Sequence, residues 1–441
     1  MAKPIIDVLG VGLGPFNLSL ACLAEPVSEL KALFVDQRPG FDWHPGLMME
    51  DVHLQTPFMS DLVTLADPTS RYSFLNYIKQ QGRLYSFYIR ENFFLLRREY
   101  NQYCQWVSQQ LSNIRFNRRV DAVHFDEQLD CYRVNLVCSK TGQQSEVLAR
   151  KLVLGTGPKP FVPKCCENLD GPVLHASQYL YQKAQLQQQK AITVLGSGQS
   201  AAEIFYDLLQ DIDSHGYQLN WLTRSPRFFP LEYSKLTLEM TSPEYVDYFH
   251  ALPGARRDAL ISSQKHLYKG INSELINAIF DCLYAKRLSG RVPVELRTNV
   301  ALEDANYAPE QGFSLRFYHQ EQGRHFQHQT QGLVLATGYR YQVPAFLTPV
   351  AQELNWDNQG RFAVRRDYSI DKSGGRVFVQ NAELHSHGFV TPDLGMACYR
   401  NSCILRSLTG REVYPVEKRI AFQEFGAGQS AVTRQPLETL L

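Results

Sequence analysis

The sequence predicts an α/β fold of two Rossmann-like dinucleotide-binding domains, the second inserted in the first, plus a small helical domain. Three observations carry this. A short apolar strand runs straight into Gly10-Val11-Gly12-Leu13-Gly14-Pro15 and then a helix. The same order restarts 186 residues later at Gly196-Ser197-Gly198-Gln199-Ser200. Two further strands end on glycine turns, Gly155-Thr156-Gly157 and Ala336-Thr337-Gly338-Tyr339, of the kind that carry a chain between two such units.

The elements follow in order. Residues 5–9 are a strand, Asn17 to Leu23 a helix, and 31–36 a second strand ending in Asp36, a β-α-β unit in about 30 residues. A loop-rich stretch, 37–72, precedes a helical and aromatic one, 73–112. Residues 119–139 and 144–154 form a β-meander. Residues 158–190, with several prolines and a Gln-rich run, read as a crossing between domains. Strand, glycine turn and helix resume over 191–209, and 220–224 is the next strand. Polar helices fill 230–290, strands cover 312–318, 331–336 and 376–381, and a last helix spans 394–408. The final ~15 residues read as a loose tail. The expected domains are 1–170 for the first part of one nucleotide unit and 190–335 for the inserted unit with its helical insertion at 230–290. Residues 336–375 form a substrate or linker region, and 376–441 return to the first unit.

Composition narrows the class. With 441 residues, 44% of them hydrophobic and 20% charged, the chain can bury a large core. Lys plus Arg is 45 against 44 for Asp plus Glu, so no basic excess points to nucleic acid. No apolar run reaches 18 residues, so no membrane span is expected. The N-terminus lacks the pattern of a signal peptide. Nine scattered cysteines without a C-x-x-C fit neither a zinc site nor a disulfide framework, which leaves free thiols in a reducing cytoplasm.

The glycine turns carry the chemistry. Glycines at 10, 12 and 14 allow a tight turn and close approach of a pyrophosphate, which a helix N-terminus attracts. Asp36, 26 residues after Gly10, stands where ribose hydroxyls need an acceptor. Pro15 departs from the general pattern. The second turn, Gly196, Ser197, Gly198, Gln199 and Ser200, is followed by a strand ending in Arg224 rather than an acid. That favours a 2′-phosphate, hence NADP(H), unless Arg224 is a plain surface cation. Two nucleotide sites suggest a flavoprotein fed by a nicotinamide. A disulfide reductase would need a redox cysteine pair after the first turn, and none is there. Leu169-Asp170-Gly171-Pro172-Val173-Leu174-His175 resembles a degenerate form, with Leu for Phe, of the F-x-G-x-x-x-H string of class B flavin monooxygenases, though its spacing equally suits an ordinary turn.

GVGLGPFNLSLA (10–21), DWHPGLMM (42–49), HLQTPFMSDL (53–62), DPTSRYSFLNYI (67–78), LGTGPKPFVP (154–163), GSGQSAAE (196–203), ATGY (336–339) and HSHG (385–388) stand in order along nearly the whole chain. Together they resemble the N-hydroxylating flavin monooxygenases of siderophore biosynthesis, which act on lysine, ornithine or aliphatic diamines. Pro15 is that family's own variant. The resemblance implies FAD, NADPH and O₂ as cofactors and oxidant. It implies a C4a-hydroperoxyflavin that passes oxygen to an unprotonated primary amine, so the site must disfavour the ammonium, whose pKa is near 10.4. It implies no metal and no protein nucleophile. It places Trp43 and His44 along the flavin, Thr337, Gly338 and Tyr339 at the cofactor, Gln55 at the flavin and substrate side, and Asn272 at the substrate or nicotinamide, the last two as catalytic candidates. On the residues alone, Trp43 and His44 also suit a packed loop, and Asn272 a helix N-cap. A homo-oligomer, with a tetramer suggested, is also implied.

Two positions depart from the amino-acid hydroxylases. Ser60 replaces the lysine that holds a substrate carboxylate, and Leu394-Gly395 replaces a Leu-Ser pair that helps hold the head group. A buried carboxylate without its cation is costly, so an aliphatic diamine, putrescine or cadaverine, is expected over lysine or ornithine, unless Arg71 or Lys235 supplies the cation. The distal ammonium then needs an acid, with Glu239, Glu383 and Asp393 as candidates.

Overall fold

The structure is a computed structural model of the chain and describes residues 3–428. The loose tail expected at the C-terminus falls largely outside the described residues.

A seven-stranded sheet organises the first unit. Its parallel part runs Ile114–Arg115, Ala32–Val35, Ile5–Val11, Gln144–Leu154. The eleven-residue strand Gln144–Leu154 forks. Its first half pairs antiparallel with Cys131–Cys138, which pairs with Arg118–Asp126. Its last three residues pair parallel with Val377–Val379, so the late strand closes the sheet begun at the N-terminus. Strand ends such as Leu9, Val153 and Phe378 are fully buried, as expected of parallel strands covered on both faces.

The second unit is a five-stranded parallel sheet in the order Val173–His175, Gly332–Leu335, Ala191–Leu195, Gln218–Leu222, Val294–Arg297. Its edge strand Val173–His175 lies upstream of residue 190, within the stretch read as a crossing. Three residues between a Gly-Pro turn and a helix carry too little periodicity to stand out. A three-stranded antiparallel meander, Val300–Ala308, Gly312–His319 and Arg324–Thr330, packs Phe313, Leu315 and Phe317 on Leu195, Leu222 and Leu333. Two of its strands were not expected. Arg324–Thr330 alternates polar residues around one Phe, which reads as loop until its neighbour is known.

The chain crosses between the sheets twice, and the crossings lie side by side. Lys159–Pro160 pairs antiparallel with Tyr339–Arg340, and the Phe161 N–H donates to the Gly338 carbonyl at 2.9 Å. Five helices from Lys235 to Leu288 form the helical insertion. Its Tyr245 stacks on Phe389, and the chain end returns over it, with Phe425 edge-on to Tyr245 at 5.0 Å.

Candidate functional site

The first glycine turn is shaped by close contacts. A Cβ on Gly10 would lie 2.2 Å from the Phe34 ring, and one on Gly12, whose φ is +84°, would lie 2.6 Å from the Gly155 carbonyl oxygen. Gly14 differs. A Cβ there would meet no protein atom within 4 Å. This leaves open room at the N-terminus of helix Pro15–Ala24, where N–H groups favour a phosphate. The residues therefore fit a dinucleotide pyrophosphate. Asn17 ties the turn down, donating to the Gly12 carbonyl at 2.7 Å and accepting from Gln380 Nε2 at 2.6 Å.

Asp36 is buried and serves the turn itself. Its carboxylate accepts from the Leu13 N–H at 2.7 Å and from the Arg38 N–H, Nε and Nη2 at 2.8, 3.0 and 3.0 Å. Four donors fill the capacity of a carboxylate. The acid expected to face a ribose thus fixes the turn, and Arg38, two residues on, is its partner. An acid-x-basic spacing was the only sequence signal for that pairing.

His44 takes the left-handed conformation, φ 53°, just before the Pro45–Leu47 turn. It packs edge-on against Trp43 at 4.7 Å and Tyr339 at 5.9 Å. Burial, helped by the Arg97 and Arg38 cations, pushes its pKa down to about 4, so the imidazole is neutral near pH 7. His175, the end of the degenerate monooxygenase string, lies 3.0 Å from the Gly338 carbonyl and edge-on to Tyr339. Thr337 bonds the Phe161 carbonyl. The two crossing turns and the loop at 43–49 thereby meet.

At the second turn, a Cβ on Gly196 would strike the Ala336 carbonyl oxygen at 2.2 Å, and the Trp221 indole N–H donates to the Gly196 carbonyl at 2.7 Å. Ser197, Gly198, Gln199 and Ser200 lead into helix Gln199–His215. Arg224 is exposed, and with Lys265 and Arg340 it lowers the pKa of Lys269, whose largest depressing cause is burial. None of these four cations has an acid partner among the described residues, which suits an incoming phosphate.

Between the two turns, Gln55 and Asn272 touch although 217 residues separate them. Gln55 Nε2 donates to Asn272 Oδ1 at 2.9 Å and to the Gly270 carbonyl at 3.2 Å. Asn272 does occupy the N-cap position of helix Ser273–Leu288, but its side chain makes no capping bond and turns to Gln55 instead. Beside them Arg97 and Glu203 form a bidentate ion pair, 2.8 and 3.0 Å, across the two units. Sequence reasoning did not single out either residue. Glu203 is the last residue of GSGQSAAE, and only tertiary structure supplies Arg97.

Ser60 and Gly395, expected together at the substrate head group, are neighbours. A Cβ on Gly395 would lie 3.0 Å from Ser60 Oγ and 3.3 Å from Asp393 Oδ1. Leu394 packs against the first core. The three candidate acids separate cleanly. Glu239 accepts from the Phe422 and Gln423 backbone N–H groups, each at 3.0 Å. Glu383, fully buried, pairs with Arg400 at 2.9 Å. Asp393 has one bond, from the Gly395 N–H at 2.8 Å, and burial raises its pKa. Arg71 is drawn away to Glu25 at 2.7 Å, and Lys235 is exposed on Lys235–Leu238. Among the described residues no group of three or more His, Cys, Asp or Glu could hold a metal, and no helix is long and apolar enough to cross a membrane.

Comparison with known proteins places this geometry. Residues 4–341 match the family model for L-lysine 6-monooxygenase/L-ornithine 5-monooxygenase. A putrescine N-hydroxylase of Shewanella oneidensis is 55% identical over 438 residues, covering 99% of this chain and 88% of that protein. An L-lysine N6-monooxygenase of Escherichia coli is 31% identical over 97% of this chain and all of its own length. The FAD-bound crystal structure of the desferrioxamine-pathway cadaverine monooxygenase from Erwinia amylovora superposes with a TM-score of 0.96 at 61% identity. It covers 97% of this chain and 100% of that one. The chain belongs to the L-lysine 6-monooxygenase/L-ornithine 5-monooxygenase family, as its motifs implied. It is a monooxygenase with the two-unit α/β fold of that group.

Proposed function

We propose that this chain is an FAD- and NADPH-dependent monooxygenase that hydroxylates one primary amine of an aliphatic diamine, for a hydroxamate siderophore. The observation that carries the substrate class is the corner formed by Ser60, Asp393 and Gly395. Where an amino-acid substrate would need a cation for its carboxylate, this corner offers a hydroxyl and a carboxylate. The Asp393 carboxyl, held protonated more readily by burial, becomes a good partner once an ammonium enters beside it. We assign Asp393 to the distal ammonium, because Glu239 and Glu383 are already bonded elsewhere.

The flavin, when bound, supplies the activated oxygen. The protein's part is to bind, orient and keep water out. Gly10, Gly12, Gly14 and Pro15 form the FAD turn, with Asp36 holding its shape and Trp43 and His44 walling the ring. Gly196 to Ser200, with Arg224 and the crossing residues Thr337, Gly338 and Tyr339, take the nicotinamide dinucleotide. Gln55 and Asn272 face the reacting amine. The first part of the FAD domain is assigned to 1–170 and its C-terminal part to the chain from 376 up to the tail, with 190–335 the NADP domain and 336–375 the link. Cytoplasmic residence fits the nine unpaired cysteines, and a homo-oligomer, suggested as a tetramer, fits the family.

An amine panel with direct hydroxylamine detection tests the reading. Putrescine and cadaverine are expected to be converted well, and lysine and ornithine poorly. Preferred conversion of lysine would make the enzyme a lysine hydroxylase and remove Asp393 from the substrate site.

A further inference from the structure

The bonds around Gln55 have a direction, and it starts at Glu203. A carboxylate only accepts hydrogen bonds. Glu203 is almost wholly buried, and Arg97 Nη2 and Nη1 hold its two oxygens at 2.8 and 3.0 Å. Gln199 must therefore offer its amide NH₂ to Glu203, which it does at 3.0 Å. Its amide oxygen is then turned the other way. It accepts the Asn272 backbone N–H at 2.9 Å and Gln55 Nε2 at 3.4 Å. Gln55 spends its NH₂ on this side, on Asn272 Oδ1 at 2.9 Å and the Gly270 carbonyl at 3.2 Å. What remains free among the described residues is an acceptor, Gln55 Oε1, and a donor, Asn272 Nδ2.

We infer that Glu203 is a positioning residue that, through Gln199, orients the Gln55 amide so that its oxygen faces the substrate amine. A neutral primary amine keeps two N–H groups and one lone pair. An acceptor that takes one N–H leaves the lone pair free to point at the oxygen it attacks. With the Gln55 amide reversed, that acceptor is lost and a second N–H, beside Asn272 Nδ2, competes for the lone pair. The two Arg97 donors engage both Glu203 oxygens, so the pair presents Glu203 to Gln199 as an acceptor. The inference rests on the amine-hydroxylase reading above. It adds a residue that touches neither substrate nor flavin chemistry and draws three segments, residues 55, 199–203 and 272, into one string.

The test compares the holoenzyme with Glu203→Gln, which can donate or accept, and with the double variant Arg97→Met/Glu203→Met, which removes both charges and so does not depend on a buried unpaired arginine for folding. Two readouts apply: calorimetric binding of putrescine or cadaverine, and the ratio of hydroxylamine to hydrogen peroxide per NADPH consumed. In both variants the amine is expected to bind about tenfold more weakly, within the range of one coupled interaction. Product is expected to shift from hydroxylamine to peroxide at saturating amine, while FAD content stays at the wild-type level. A folded variant of either kind with wild-type binding and wild-type product ratio overturns the inference. Should the wild type make no hydroxylamine from any amine, the reading of function falls by itself. The string is then judged by a crystal structure of Glu203→Gln, in which lost Gln55–Asn272 and Gln199–Asn272 contacts uphold it and retained ones overturn it.

Discussion

Ser60 Oγ and the Asp393 carboxylate both lie close to Gly395, and the proposed function has this corner select the amine. Ser60→Lys would place an ammonium within reach of Asp393 and take up the charge meant for the diamine. Its expected effect is a rise in KM for putrescine and cadaverine of about tenfold or more, the equivalent of about 1.4 kcal/mol, with the flavin spectrum unchanged. An unaltered KM would put residue 60 outside the pocket. Asp393→Asn removes the charge but keeps the shape. A hydrogen bond to a charged group contributes about 1.5–3 kcal/mol, so kcat/KM for a diamine should fall on the order of ten- to a hundredfold. A monoamine of equal chain length, which has no distal ammonium, should lose little. Equal losses for both amines would assign Asp393 a purely structural role.

Among elements, the first strand–turn–helix shows how one motif mixes two kinds of glycine. Gly10 and Gly12 are required by the protein, since a side chain there would strike Phe34 or the Gly155 carbonyl. Gly14 is required by nothing in the protein, and its φ of −86° suits any residue. Gly14→Ala should therefore leave stability within about 0.5 kcal/mol of wild type, the usual range for changes that touch no special feature. FAD content after purification should drop, because the methyl group enters the space assigned to the pyrophosphate. Gly12→Ala should instead lower the unfolding midpoint directly, through the clash and the left-handed backbone. These roles were only half legible in the sequence. The spacing of the glycines and of Asp36 revealed a nucleotide turn. That Asp36 bonds Leu13 and Arg38, and that Asn17 and Gln380 lock the turn from 363 residues apart, depends on strands that meet only in three dimensions.

For the whole molecule, acid sensitivity follows from histidines buried in neutral form. Burial depresses His44 to about 4, and burial likewise lowers His385 and, more strongly, His387. In the unfolded chain each titrates near 6.5. Protonation therefore favours the unfolded state. Their stabilising contribution is complete above pH 6.5 and is lost as the pH falls toward 4. Urea midpoints should decline through that window. His44→Asn, which suits the left-handed backbone at this position, should make the decline shallower. An unchanged slope would mean that His44 is not among the groups responsible. The same loop ties the two units together. A Cβ on Gly46 would lie 1.9 Å from the Ser177 carbonyl oxygen, and Leu47 and Met49 belong to the second unit's core.

By itself, the sequence determined the class of fold, the two nucleotide turns and the family, because these depend on short local patterns: a strand, a glycine spacing, a helix start. It also marked Ser60 and Gly395 as the positions where head-group contacts of the amino-acid hydroxylases are expected to be missing, and the structure brings the two together. Tertiary structure alone decided which acid stands beside them, because Asp393, Glu239 and Glu383 are alike until their partners are known. It alone brought Gln55, Gln199, Glu203 and Asn272 together with Arg97. A hydrogen bond depends on distance and direction, and neither is set by separation along the chain.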